Sequence, residues 1–151
     1  MRNPRFDQSA CDQLADAVRD IETQTDAEIV IVEPQGWDDM AQSLAQGEIV
    51  PVGPSAPDTF CDALQTPRVS LITLGILQER RATALSVSDS EVADAIRFAW
   101  EKHALVVEPG GAAGLAALLA DKIERRKGTV VVLSGGNIDP TLHARIIGEA
   151  I

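Results

Sequence analysis

The chain has 151 residues, which is enough for one domain with a hydrophobic core. Hydrophobic residues make up 45% of the chain and aromatic residues only 3%, which predicts a globular protein with an aliphatic core. The formal net charge of −10 disfavours nucleic-acid binding, because an acidic surface repels phosphate backbones.

Membrane and secreted proteins are also disfavoured by the sequence. It contains no 18-residue apolar run, and polar residues rather than an apolar stretch follow Met1, so we expect neither a membrane span nor a secretory signal. Cys11 and Cys61 match neither a disulfide framework nor a metal-binding motif. We therefore expect free thiols and a cytoplasmic location.

The first third of the chain alternates between helical and extended patterns. Apolar residues at helical spacing predict a helix over about 9–24. The continuous, β-branched apolar run over 28–32 is typical of a strand buried on both faces in a parallel sheet. Acidic residues then open a second helix over about 38–47, and a loop rich in glycine and proline follows over 47–57.

The same alternation continues beyond residue 57. Ser88 and Glu91 have the spacing of a capping box, which predicts a helix from there to about residue 103. The run Thr129–Leu133 is the clearest strand in the sequence. The other predicted elements are short helices over 58–66 and 70–80, a strand over 82–87, a helix over 110–126 and a helix over about 140–150.

Helices that alternate with apolar strands predict an α/β fold with a parallel sheet and right-handed crossovers. The sequence shows no internal repeat and no low-complexity tract. We therefore expect residues 1–151 to form a single α/β domain.

Ser134, Gly135 and Gly136 follow the predicted strand over 129–133. In open α/β sheets, ligands bind outside the carboxyl ends of the strands, and two glycines let a flat ligand approach the backbone. The same pattern is also typical of an ordinary turn. Spacing alone leaves both interpretations open.

Two further stretches have a functional and a purely structural interpretation. The glycines and alanines after Glu108 leave the first amides of a helix accessible to an anion, or simply let that helix pack closely. Glu33 and Asp39, with Trp37 between them, can converge on a hard cation with the help of a backbone carbonyl. Acidic residues at the start of a helix, however, need no metal ion.

Five segments, in their order and spacing, resemble the threonine dehydratase and serine racemase family of fold-type II pyridoxal-phosphate enzymes. These segments are Val32-Glu33-Pro34, Pro57 through Asp62, Val87-Ser88-Asp89, Val107-Glu108-Pro109 and Leu133 through Asp139. The resemblance covers about residues 8–150. It implies the larger, C-terminal domain of the family, a three-layer α/β fold with a mainly parallel β-sheet flanked by helices.

The resemblance also implies a cofactor, pyridoxal phosphate, and a cation. Ser134 matches the hydroxyl that hydrogen-bonds the pyridine nitrogen of the cofactor, and Glu108 matches a carboxylate close to the ring. The cofactor-binding residues expected on this basis are Ser134, Gly135, Gly136 and Glu108. The expected ligands of a Mg²⁺, Mn²⁺ or Ca²⁺ ion are Glu33, Asp39 and the backbone carbonyl of Trp37.

The chain departs from the family pattern in three places. It has Cys61-Asp62-Ala63 where the family usually has Ala-Asp-Gly, and Gln8–Asp12 where the family has the glycines of its phosphate loop. The family carries its Schiff-base lysine in a Ser-x-Lys motif far upstream. The only lysines here are Lys102, Lys122 and Lys127, and we expect all three to be solvated.

We therefore expect the C-terminal part of a threonine or serine dehydratase, an ammonia-lyase of amino-acid metabolism, without the lysine region and the small domain. Such a chain is expected to be inactive alone. The alternatives are a non-catalytic binding or interaction module, and one half of a split enzyme that a second chain complements. A sheet without its N-terminal strands exposes an apolar edge, so we expect a homo-oligomer or a partner chain that covers this edge.

Overall fold

A computed structural model of the chain describes residues 27–124 and 126–148. The predicted helix over about 9–24 lies outside these residues, as do Cys11 and the segment Gln8–Asp12. Within the described part, no helix is both long enough and apolar enough to span a lipid bilayer.

In the described part, helices follow each strand, and two of the three predicted strands form. In chain order the elements are strand β1 (Val30–Pro34), helix α1 (Asp39–Gln46), a 3₁₀ turn (Asp62–Leu64), helix α2 (Leu71–Glu79), strand β2 (Thr83–Val87), helix α3 (Asp89–His103), helix α4 (Pro109–Leu119) and helix α5 (Pro140–Ile147).

β1 and β2 form a parallel pair in which Val30 lies opposite Thr83 and Pro34 lies opposite Val87. The chain between them passes through α1 and α2, which is the crossover that parallel strands require. The predicted α/β class with a parallel sheet is therefore confirmed. β1 lies two residues further along the chain than the predicted strand over 28–32.

The core lies where α3 and α4 pack against each other and against the sheet. The buried face of α4 consists of small residues, and α3 contributes larger apolar side chains to the same cluster. The principal members are Val92, Ile96 and Ala99 of α3 and Ala112, Ala113, Ala116 and Ala117 of α4. Small side chains on α4 allow the two helices to approach closely, which suits its run of glycine and alanine.

The predicted capping box at the start of α3 is confirmed. The Ser88 hydroxyl accepts from the Glu91 amide at 3.3 Å, and the Glu91 carboxylate accepts from the Ser88 amide at 2.7 Å. The Lys122 ammonium also donates to this carboxylate at 2.8 Å and to the Ser86 carbonyl at 2.9 Å. Lys122 is exposed to solvent as expected, and it also has these two partners.

The same contacts set the charge state of Glu91. Burial acts to raise the pKa of Glu91, but the hydrogen bonds from Lys122 and Ser88 outweigh burial, and the pKa is lowered. The charged form of Glu91 is thus favoured at the junction of β2, α3 and the segment after α4.

The prediction of a strand over 129–133 is wrong. Val130 to Ser134 make no backbone hydrogen bond to any described residue, and a strand requires a hydrogen-bonded neighbour. Two helix predictions are also corrected. The helix predicted over 110–126 ends at Leu119, because Asp121 takes a positive φ of 54°, and the helix predicted over 58–66 is only the 3₁₀ turn.

Cys61 is a free, fully buried thiol. Burial raises its pKa to about 11, a hydrogen bond with Thr59 opposes the rise, and the charges of Asp89 and Asp62 add to it. The thiol is therefore protonated and shielded at neutral pH. The cytoplasmic location stays a prediction.

Candidate functional site

The site lies at the carboxyl edge of the sheet. β1 and β2 are parallel, so their last residues reach the same edge. The segment 129–133 begins close to the start of β1, because Arg126, just before it, contacts the Glu28 carboxylate, just before β1, at 3.2 Å. Its other end, Ser134, lies against Gly111, and the neighbouring Gly110 contacts Leu64 of the 3₁₀ turn. Ser134 consequently emerges at the carboxyl edge, where ligands bind in α/β sheets.

The main chain at Ser134 lies directly against the first turn of α4. A methyl group added at Gly111 would overlap the Ser134 carbonyl oxygen. Only a residue without a side chain allows this approach. Gly111 is buried, so the contact forms part of the packed interior rather than of a loose surface turn.

Gly135 and Glu108 form a second close contact in the same turn. Gly135 has a φ of +73°, and the Glu108 carboxylate occupies the space that a side chain at Gly135 would need. The Glu108 amide donates to the Gly135 carbonyl at 3.2 Å, and the Glu108 carboxylate accepts from the Asn137 amide at 3.3 Å. The carboxylate is therefore held in place by the turn itself.

The four expected cofactor-binding residues thus lie together. Gly136 is the fourth of these residues. It packs near the same segment, because a side chain at Gly136 would lie 3.2 Å from the Val106 carbonyl oxygen. The Ser134 side chain is exposed, and no described residue accepts or donates a hydrogen bond to its hydroxyl. The roles of these four residues toward the cofactor stay predictions.

The segment that departs from the family pattern lies beside this turn. The side chains of Ala63 and Leu64 lie 3.6 and 3.2 Å from where a side chain at Gly110 would begin. Ala63, which stands where the family usually has glycine, therefore faces a glycine of α4. Alanine and glycine are both small, so this contact between Ala63 and Gly110 takes little space.

Two residues to which the sequence analysis assigned no role, Thr59 and Asp89, anchor this segment. The Asp89 carboxylate accepts from the Thr59 hydroxyl at 2.5 Å and from the Phe60 amide at 3.3 Å. Asp89 begins α3, so the bond ties the 3₁₀ region to the start of that helix. Thr59 and Asp89 are 30 residues apart, and no local spacing in the sequence signals such a contact.

The expected cation ligands lie between β1 and α1. Both Glu33 carboxylate oxygens accept backbone hydrogen bonds at 2.9 Å, one from Met40 and one from Ala41. Asp39 is only 2% exposed, and its Oδ2 atom has no hydrogen-bond partner among the described residues. The indole of Trp37 donates to the Pro57 carbonyl at 2.8 Å.

Burial disfavours the charged form of both carboxylates, and the pKa of each is raised. Burial raises the pKa of Glu33, the amides of Met40 and Ala41 oppose the rise, and the charge of Asp39 adds to it. Burial is also the largest cause of the raised pKa of Asp39. No group of three or more His, Cys, Asp or Glu side chains converges anywhere in the described residues, so side chains here supply two carboxylates at most.

A cavity of about 910 Å³ opens between β1 and the segment 128–134. Its walls are mostly apolar, and Ser134 lies on its lining. Its lining includes Val30 and Val32 of β1, Gly111 and Gly114 of α4, and Val130 and Val132 of the segment 128–134.

The sequence pattern of the pyridoxal-phosphate dependent enzymes matches residues 14–135. The chain is 32% identical over 122 residues to a serine racemase of Dictyostelium discoideum, which covers 79% of this chain and 37% of that protein. It is 36% identical over 117 residues to an L-threo-3-hydroxyaspartate ammonia-lyase of Saccharomyces cerevisiae, which covers 77% of this chain and 35% of that protein.

The chain belongs to the pyridoxal-phosphate dependent enzyme family. A solved structure agrees: a threonine deaminase from T.th. superposes with a TM-score of 0.68 at 32% identity, over 86% of this chain and 46% of that chain. The expected fold-type II architecture is therefore confirmed. The chain spans little more than a third of the length of the curated relatives it matches.

The contact between Gly111 and Ser134 predicts opposite effects of one substitution at two helical glycines. Gly75→Ala, in α2, adds a methyl group in open space and should raise the free energy of unfolding by up to about 1 kcal/mol. Gly111→Ala forces the Ser134 carbonyl away and should lower the free energy of unfolding by about 1–3 kcal/mol. Urea unfolding followed by circular dichroism measures both, and equal shifts would contradict the described contact.

Proposed function

We propose that this chain is one part of a pyridoxal-phosphate-dependent dehydratase or racemase that acts on a small amino acid with a hydroxyl on Cβ. It supplies the Ser134-Gly135-Gly136 turn and Glu108 at the pyridine ring. The cofactor-binding lysine and the small domain lie in the part of the fold that this chain does not span. The observation that carries the proposal is the turn held against α4 with a free hydroxyl.

Two observations support the choice of substrate class. Serine, threonine and 3-hydroxyaspartate stand in the names of the relatives above, and each has a hydroxyl on Cβ. The turn resembles that family in sequence, and the residues expected at the ring lie within contact distance of one another. A dehydratase or racemase of this class needs the same ring-binding residues for either reaction.

The residues of the turn fit a flat aromatic ligand. When bound, pyridoxal phosphate withdraws electrons from the Cα of an amino acid. The Ser134 hydroxyl would donate a hydrogen bond to the ring nitrogen, and because a hydroxyl is neutral it would favour the unprotonated ring. Gly135 and Gly136 place no side chain over the ring. Glu108 keeps a fixed position because the Asn137 amide holds its carboxylate.

The lysines of this chain do not fit the covalent role. None stands in a Ser-x-Lys motif, and Lys122 is already bonded to Glu91 and the Ser86 carbonyl. We infer that the chain does not turn over substrate alone, and that it acts with the remaining part of the fold.

Complementation tests the proposal. The full chain is co-expressed with the upstream part of the D. discoideum serine racemase, and release of keto acid from L-serine is measured. The complex should convert L-serine to keto acid, and the chain alone should not. Ser134→Ala should lower kcat roughly 10- to 100-fold, the loss of one hydrogen bond of about 1–3 kcal/mol.

Ser55→Ala is the matched control, because Ser55 is an exposed serine in the loop before the 3₁₀ turn. Its kcat should equal that of the parent complex. Full activity of the Ser134→Ala complex would contradict the role of Ser134. Turnover by the isolated chain would contradict the assignment of the lysine to the missing part.

The second proposed ligand is a divalent cation, Mg²⁺, Mn²⁺ or Ca²⁺, held by Glu33, Asp39 and the Trp37 carbonyl. A buried carboxylate oxygen of Asp39 has no partner among the described residues, and none of them donates to the Trp37 carbonyl. Oxygen atoms of these kinds are the ligands that hard cations prefer. Glu33 keeps lone pairs beyond those used by its two amide partners.

Calcium chloride should therefore raise the melting temperature of the chain by about 4–8 °C at saturation, since a ligand that binds only the folded state stabilises it. Differential scanning calorimetry measures the shift. Asp39→Asn should abolish it, whereas Asp58→Asn, a change at an exposed acid, should keep it. A shift that survives Asp39→Asn, or none in the parent, would rule out this site.

A further inference from the structure

The segment Cys61–Leu64 forms part of the wall of the cavity on which Ser134 lies. Leu64 and Ser134 are both on the cavity lining. The Leu64 side chain lies 3.2 Å from where a side chain at Gly110 would begin, and the Ser134 carbonyl lies against Gly111. The first turn of α4 thus contacts this segment at one glycine and Ser134 at the next. The position of the segment therefore sets the shape of the cavity beside Ser134.

The segment has few contacts of its own that could hold it in this position. The Leu64 amide donates to the Cys61 carbonyl at 2.9 Å, and the Asp62 carboxylate accepts from the Ala63 amide at 2.8 Å. Asp62 and Ala63 are exposed, and only Cys61 is fully buried. A single 3₁₀ turn is not stable in isolation. Contacts from outside the segment must therefore fix it.

Asp89 and Thr59 provide such contacts. The Thr59 hydroxyl donates to one Asp89 carboxylate oxygen at 2.5 Å, and the Phe60 amide donates to the other at 3.3 Å. The same hydroxyl accepts from the Cys61 amide at 3.2 Å. Hydrogen bonds to a carboxylate are shorter and stronger than those between neutral groups. A continuous chain of hydrogen bonds thus runs from Asp89 through Thr59 to the first residue of the segment.

The helix end that carries Asp89 is itself held in place. Ser88 and Glu91 satisfy each other's amides at the start of α3, and the Lys122 ammonium donates to the Glu91 carboxylate. Asp89 makes no capping hydrogen bond in this arrangement, because the Ser88 side chain is the cap. Both oxygens of Asp89 are thus available to the stretch that leads into the segment.

We propose that Thr59 and Asp89 are positioning residues of the cofactor site, which hold Cys61–Leu64 against Gly110 and so keep the wall beside Ser134 in place. This inference rests on the proposed function, because the site is the one to which Ser134 belongs. Without the pair, the segment is displaced for part of the time. Since only the ordered form binds the ring fully, the apparent affinity for the cofactor falls with the ordered fraction.

Two simpler roles of the pair lead to different expectations. An acid at the start of a helix can act on the helix dipole alone, but Thr59 lies outside α3 and its removal would then have no effect on the site. The pair can also stabilise the fold in a general way. Any substitution that costs as much stability would then weaken cofactor binding equally.

The reactivity of Cys61 in the isolated full chain tests whether the pair holds the segment. The thiol is 0% exposed, so labelling by N-ethylmaleimide requires the segment to open. Peptide mapping by mass spectrometry separates Cys61 from Cys11. Thr59→Val keeps the size of the side chain but loses the hydroxyl, and it should accelerate labelling of Cys61 at least about tenfold. Thr59→Ser keeps the hydroxyl and should label at the parent rate.

Two control variants separate a local effect from a general one. Thr141→Val makes the same change at an exposed threonine of α5 and should label at the parent rate. Leu74→Ala removes a side chain of α2 that is 3% exposed, so it should lose at least as much stability in urea unfolding as Thr59→Val. It should nevertheless label Cys61 more slowly than Thr59→Val. Equal acceleration by these two variants would overturn the proposal.

Cofactor affinity tests the consequence for the site. The full chain is co-purified with the upstream part of the D. discoideum serine racemase, and the Kd of pyridoxal phosphate is measured by absorbance titration. Thr59→Val should raise this Kd at least about threefold, whereas Thr59→Ser and Leu74→Ala should leave it unchanged. An unchanged Kd in Thr59→Val would overturn this inference and leave the proposed function intact. A parent complex that binds no cofactor would sink the proposed function, and the positioning role with it.

Discussion

The contact between the Ser134 main chain and Gly111 is the constraint on which the candidate site depends. It exists because Gly111 has no side chain, and it positions the whole turn from Ser134 to Asn137 on the first turn of α4. Glu108 then fits against Gly135 and takes the Asn137 amide. The alanine-rich face of α4 keeps that helix deep in the core, so the turn stands on a rigid support.

Parallel strand direction adds the second constraint. Because β1, β2 and the segment 130–134 all end at one edge, residues far apart in sequence meet there. Glu33, near the end of β1, and Ser134, at the end of that segment, reach this edge from different parts of the chain. The proposed cofactor site at the ring and the proposed cation site between β1 and α1 both rest on this one arrangement.

Much of this could be predicted from local sequence, and the failures have physical reasons. The helix over 89–103 was predictable because Ser88 and Glu91 satisfy each other's amides within one turn. The segment 129–133 has the β-branched composition of a strand. A strand also needs a hydrogen-bonded neighbouring strand, and the sequence of the segment itself does not show whether one is present. The partnership of Lys122 with Glu91, 31 residues away, likewise has no local signal.

The central claim is that this chain binds the ring of the cofactor while a different part of the fold provides the lysine. The most direct test is borohydride reduction of the complex with the upstream part of the D. discoideum serine racemase in the presence of pyridoxal phosphate, followed by peptide mapping. The account predicts one labelled lysine, in the upstream part. A single label on Lys102, Lys122 or Lys127 of this chain would contradict it.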